Sequence, residues 1–214
     1  FIIFVFTTCT ASADTTSDGF IYEYIYQNRV IIGVSITDYK GNGGDLIISS
    51  IDGYPVREIE SHAFSECTNI TRVDMSNSNI IDIGYEAFFG CSNLKEVILS
   101  SNTTVINPSV FERCTSLENI VLPYNLKIIE HSAFYGCSSL REIDIPENVT
   151  KIGSSAFKDC GSLTSIVLPS KVTIINSGLF RDCSSLEKVM LPEGTTEIGS
   201  YAFYGCSSLR EIDI

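Results

Sequence analysis

The chain repeats itself, and the period limits what it can fold into more than any other feature. Tyr204–Ile214 reproduces Tyr135–Ile145 letter for letter, 69 residues later, which is three periods of 23. Between the copies the same pattern recurs at Cys160-Gly-Ser-Leu163-Thr-Ser-Ile166-Val-Leu168 and Cys183-Ser-Ser-Leu186-Glu-Lys-Val189-Met-Leu191. Aligned on cysteine, the units centre on Cys67, Cys91, Cys114, Cys137, Cys160, Cys183 and Cys206. A short unit of this kind cannot bury its apolar face alone, so stacked coils must share one continuous core.

Each repeat position carries a physical role. In the segment L-x-x-I-x-L, residues such as Ile166 and Leu168 alternate as one face of a strand does. Proline follows at positions 123, 146, 169 and 192, where its fixed φ and missing donor turn the chain. The return half places apolar residues at Ile152, Ala156, Phe157 and Cys160, a spacing that suits a short helical turn with one buried face. Phenylalanine occupies one position in every unit: Phe64, Phe88, Phe111, Phe134, Phe157, Phe180 and Phe203. Seven stacked rings form a core spine. The alanine before the ring becomes Val110 and Leu179 in two units, and the added volume should displace the backbone beside them. One unit is a residue longer, around Ser76–Asn79, and predicts a bulged turn.

Residues 14–45 do not follow the period. Phe20–Tyr26 and Val30–Thr37 are rich in β-branched and aromatic side chains, separated by Gln27-Asn-Arg29. They predict a hairpin that caps the first coil, with the solenoid running over residues 46–214. Residues 1–13 read as the end of a secretory signal: an apolar run Phe1–Phe6, then Ala11-Ser-Ala13 as an A-x-A cleavage site. The alternatives are lipidation at Cys9, to which Thr7-Thr8 is a poor fit, and an apolar strand with no targeting role. The run is too short to span a bilayer, so no direct membrane insertion is expected. The last unit ends at Ile214, before the proline position of the regular coil, and reads as truncated there with an open strand edge.

Acidic residues outnumber basic ones 26 to 14, and no Lys/Arg-rich run offers a handle for phosphate, so nucleic acid is an unsuitable partner. Seven of the eight cysteines share one repeat position, where stacked side chains would point in parallel, so a column of free buried thiols is expected in place of disulfides. His62 and His131 fall in different coils and read as solvated. No metal site, cofactor or catalytic residue is expected: no Ser/His/Asp or Cys/His set, phosphate loop or paired carboxylates stand out, and the chain reads as non-enzymatic.

The unit I-G-x-x-A-F-x-x-C-x-x-L-x-x-I-x-L-P, seen from Ile152-Gly153 to Pro169 and from Ile198-Gly199 to Ile214, resembles the BspA-type leucine-rich repeat. Leu46–Val56 with Ile59 and Ala63-Phe64 resembles that family's first coil. The resemblance implies an α/β repeat solenoid: a right-handed leucine-rich-repeat superhelix with a parallel β-sheet on its concave face, short helical turns on the convex side and an N-terminal β cap. It also implies a secreted or cell-surface protein of mucosal bacteria or protozoan parasites that adheres to host matrix proteins. Thr103 and Thr195 depart from the pattern where valine is usual.

On such a fold, the residues on either side of the strand isoleucine face the concave side. These are Arg72 and Asp74, Glu96 and Ile98, Asn119 and Val121, Glu142 and Asp144, Ser165 and Val167, Lys188 and Met190, and Glu211 and Asp213. The ten from Glu96 to Met190 form the candidate face for an extracellular or host protein, with Ile98, Val121, Val167 and Met190 as an apolar patch that Asp144 interrupts. The bland reading is β propensity alone. A structural spacer presenting another domain is the alternative function. Three sequons, at Asn69, Asn102 and Asn148, are candidate N-glycosylation positions in a eukaryotic source.

Overall fold

The computed structural model describes residues 14–213, and over that span the chain is a β-solenoid in which successive coils stack through parallel strands. It opens with β1 (Asp14–Thr15) and the antiparallel pair β2 (Phe20–Gln27) and β3 (Val30–Tyr39). The hairpin turn has Asn28 and Arg29 at φ 51° and 66°, the left-handed pair that matches strand twist. After β4 (Gly44–Ile47) and β5 (Ser50–Ile51), β6 (Tyr54–Ile59) pairs in parallel with β3, which joins the hairpin to the coils. Phe20 and Tyr39 lie against the first spine ring, Phe64, at centroid distances of 6.3 and 5.3 Å. The expected signal end at residues 1–13 and the strand end at Ile214 lie outside the described residues.

Two parallel ladders follow. The main sheet runs through β4, β7 (Ile70–Asp74), β9 (Glu96–Ile98) and β11 (Asn119–Val121), and resumes in β14 (Ser165–Val167), β16 (Lys188–Met190) and β18 (Glu211–Asp213). A second line of two-residue strands comprises β8 (Asp82–Ile83), which pairs with β6, then the run β10 (Val105–Ile106), β12 (Ile128–Ile129) and β13 (Lys151–Ile152), and the pair β15 (Ile174–Ile175) and β17 (Glu197–Ile198). Register holds coil by coil: Arg72, Glu96 and Asn119 align, as do Ser165, Lys188 and Glu211. Between the ladders, Pro123, Pro146, Pro169 and Pro192 each accept a bond from the N–H three residues on, at 2.9 to 3.0 Å. Met75 and Ser100 close the same turn without proline, and the extra residue of the long unit sits just beyond Met75.

The expected helical turns are absent: there is no helix among the described residues. The stretch around each phenylalanine is instead a third ladder of backbone bonds. In every coil from Phe64 to Phe180 three N–H groups, those of the phenylalanine and of the residues two before and two after it, donate to the next coil. Ser132, Phe134 and Gly136, for example, donate to Ser154, Ala156 and Lys158 at 3.1, 2.9 and 2.8 Å. The two flanking residues have positive φ in all seven coils, as at Ser155 and Asp159, both 58°. Left-handed residues at that interval turn alternate N–H groups out of the coil, which an α-helix cannot do because its N–H groups all point along its own axis.

The phenylalanine spine is continuous, with six stacked ring pairs. Rings lie 4.8 and 5.4 Å apart where both coils carry alanine before the ring, and 5.6 to 5.8 Å apart next to Val110 or Leu179. The larger side chains wedge the coils apart as their volume requires. Beside the spine, all seven described cysteines are unpaired. Each thiol from Cys91 to Cys206 donates to the phenylalanine carbonyl of the preceding coil at 3.0 to 3.2 Å. Burial pushes the thiols of Cys114, Cys137, Cys160 and Cys183 well above their usual range.

Candidate interaction face on the main sheet

Because strand side chains alternate, the main sheet buries Val73, Val97, Ile166 and Val189 and turns their neighbours outward. Val121, Val167 and Met190 are 54%, 55% and 41% exposed, and Ile98 is half-buried. Ile47, 67% exposed, is a further apolar side chain on this face at the amino end, separated from Ile98 by Asp74. The sequence reading omitted it, although Leu46-Ile47-Ile48 carries the strand signal.

Charge is distributed in rungs across this face. The guanidinium of Arg72 binds Asp74 at 2.9 Å and Glu96 at 3.0 Å, tying β7 to β9. At the other end, the ammonium of Lys188 binds Asp213 at 2.7 Å and Glu211 at 3.3 Å. Asp213 holds the Lys188 ammonium above its ordinary range, and Lys188 in turn lowers Asp213. Asp74 is lowered by Ser76 first and by Arg72.

The central rung departs from expectation. Glu142 and Asp144 belong to a segment, residues 141–145, that is not a strand, so the sheet is split into four-stranded and three-stranded parts. Residues 142–145 make none of the backbone bonds that join neighbouring coils elsewhere. Intrinsic propensity does not cause this, because the identical residues at 211–213 form β18. The copies differ in their neighbours. Lys188 flanks the second copy, whereas Asn119/Val121 and Ser165/Val167 flank the first. Among the described residues neither Glu142 nor Asp144 has an ion-pair or side-chain hydrogen-bond partner.

Each sequon asparagine's side-chain amide donates to an earlier part of the chain: Asn69 to the Gly41 carbonyl at 3.0 Å, Asn148 to that of Tyr124 at 3.1 Å, and Asn102 to the Asn79 side chain at 3.4 Å. A glycan would have to share those amides. His62 and His131 are exposed. On the hairpin, Tyr22 and Tyr24 both donate to the Asp52 carboxylate, and that bond is the largest cause raising the Tyr22 hydroxyl above its usual range. Among the described residues no group of three or more His, Cys, Asp or Glu side chains converges as a metal site requires.

The repeat finds its counterpart in known proteins. The family model for the BspA type leucine rich repeat region matches residues 48–161 and 104–214, in six copies. The chain belongs to the BspA-type leucine-rich repeat family. Among solved structures it is similar to the leucine-rich repeat protein of T. pallidum, with 35% identity, a TM-score of 0.81, and coverage of 92% of this chain and 91% of that one. A leucine-rich repeat protein from Bacteroides ovatus shares 29% identity at a TM-score of 0.83, over 94% of this chain and 53% of that one. This BspA-type chain therefore spans about half the length of that relative. A leucine rich cell surface protein from Faecalibacterium prausnitzii has the same fold at 22% identity and a TM-score of 0.51, over 96% and 77% of the two chains. None of the curated proteins compared matches the sequence.

Proposed function

We propose that this leucine-rich repeat protein is a non-catalytic recognition module, secreted or displayed at the cell surface, that binds an extracellular or host protein through its main-sheet face. The observation that carries this reading is the set of exposed apolar side chains Val121, Val167 and Met190, with Val121 in register with Ile98 and Val167 with Met190, rimmed by Glu96, Lys188, Glu211 and other charges. An apolar centre with a charged border is the composition of protein interfaces. Surface display is supported by family membership and by the description of the F. prausnitzii protein as a cell surface protein. Adhesion to host matrix proteins is the specific form of binding we favour. Retention of the chain on immobilised matrix proteins, compared with the variant Val121→Asp/Val167→Asp, tests it.

A second reading makes the coils a spacer. It is favoured by the B. ovatus relative, in which a stretch of this length is about half of a longer chain. A spacer would not be retained on any matrix protein.

A further inference from the structure

The unfilled rung at Glu142 and Asp144 has an occupied copy in the same molecule. Where Arg-Glu-Ile-Asp recurs at residues 210–213, the Lys188 ammonium sits between the two carboxylates, 3.3 Å from Glu211 and 2.7 Å from Asp213, and the segment is seated in the sheet. The Arg72 guanidinium plays the same part between Asp74 and Glu96. Among the described residues of the main sheet, this pair of carboxylates lacks the cation that the other two pairs have, and the sheet's ladder is interrupted here. On either side it is bordered by the exposed Val121 and Val167, and beyond them by Ile98 and Met190. The face thus reads apolar, apolar, acidic, apolar, apolar along the stacking axis.

Spacing selects the kind of partner that matches this pattern. The five rungs are four coil steps apart, about 19 Å at the usual strand separation of roughly 4.8 Å. An amphipathic α-helix presents one stripe residue every three or four positions, so four steps span 14 residues and about 21 Å. An extended chain presents one residue in two on a face, so four steps span eight residues and about 27 Å. The helix stays within about 2 Å of register along the column, while the strand drifts by about 8 Å, more than a whole rung.

Taking this face as the recognition surface proposed above, we infer that its partner presents an amphipathic helix whose apolar stripe carries one lysine or arginine at its middle, seated between Glu142 and Asp144 as Lys188 is seated between Glu211 and Asp213. The flanking stripe residues lie on Val121 and Val167. The basic residue supplies the counter-charge that the chain gives its other two acidic rungs from within, and the net charge of −12 favours a basic partner at longer range.

The test is an amide NMR titration of the whole chain with synthetic peptides. The first is an eighteen-residue helical alanine–glutamine host with leucine at the second, fifth, thirteenth and sixteenth positions and lysine at the ninth. A second replaces the lysine with norleucine, and a third spaces the same side chains at every second residue. The inference expects signals of Val121, Glu142–Asp144 and Val167 to move, with the lysine helix binding about fivefold or more tighter than the norleucine helix at low salt. The preference should vanish in Glu142→Gln/Asp144→Asn, whose folding is checked by its own spectrum. Equal binding of the two helices, a preference that survives in that variant, or tighter binding of the alternating peptide overturns the inference while leaving the face itself in place. No movement on this face with any peptide also overturns it. The proposed function is decided separately by the retention of Val121→Asp/Val167→Asp on matrix proteins, which involves no peptide.

Discussion

The cysteine column makes the solenoid's stability depend on alkalinity in a way that can be worked out from burial. Cys114, Cys137, Cys160 and Cys183 are buried, and desolvation raises each thiol far above its ordinary value. Below about pH 8 these groups are protonated in the folded and unfolded chain alike and add nothing to the pH dependence. As pH rises past about 8.5 the unfolded chain releases protons that the folded chain keeps, so stability falls with increasing pH. At pH 10 the difference is about 2 kcal/mol for each fully buried thiol, or about 8 kcal/mol for four, comparable to the whole stability of an ordinary domain. The chain should therefore unfold cooperatively near pH 10 with no change in temperature. Urea unfolding followed by far-ultraviolet circular dichroism between pH 7 and 10.5, with a reductant present, measures the slope. In Cys137→Ala/Cys160→Ala the alkaline slope should fall by up to about 2.7 kcal/mol per pH unit, at a cost near neutrality of about 1 kcal/mol per site. Equal alkaline slopes in the two proteins would refute the argument.

Two further outcomes follow from the packing. Lys188→Met removes the cation that seats the second copy, so amide exchange at residues 211–213 should rise toward that of residues 142–144; unchanged protection would show that the ion pair is not what orders the strand. Gly136 has φ 76° and room for a methyl group, the nearest atom being 3.6 Å from an added Cβ, an ordinary contact, so Gly136→Ala should cost about 1 to 2 kcal/mol from backbone strain alone, read as a lowered urea midpoint at constant slope.

How much of this was legible in the sequence depends on the position. The spine was, because a phenylalanine at one place in every 23-residue unit has no other use in a stacked core. The wedge at Val110 and Leu179 was also readable from volume alone, and the ring spacings show it. The third ladder was not: Ile152, Ala156, Phe157 and Cys160 follow a helical spacing that a left-handed turn ladder also satisfies. A signal was present in Gly90, Gly136, Asp159, Asp182 and Gly205, residue types that tolerate positive φ, two places after five of the seven phenylalanines. The split in the main sheet was out of reach of local reading, since identical residues are in the sheet at one place and out of it at the other. What separates them is the neighbouring coil, Lys188 in one case and Asn119 with Ser165 in the other. The candidate face was readable as an alternation, but its pairing of charges required the register.

Surface plasmon resonance on immobilised host matrix proteins decides whether the proposed main-sheet face is where this BspA-type protein meets a partner. For a matrix protein that retains the parent chain, Val121→Asp/Val167→Asp should weaken binding by about 30-fold or more, the effect of removing two central apolar contacts and desolvating two charges. An unchanged dissociation constant for the folded double variant would place the interaction elsewhere and contradict the account.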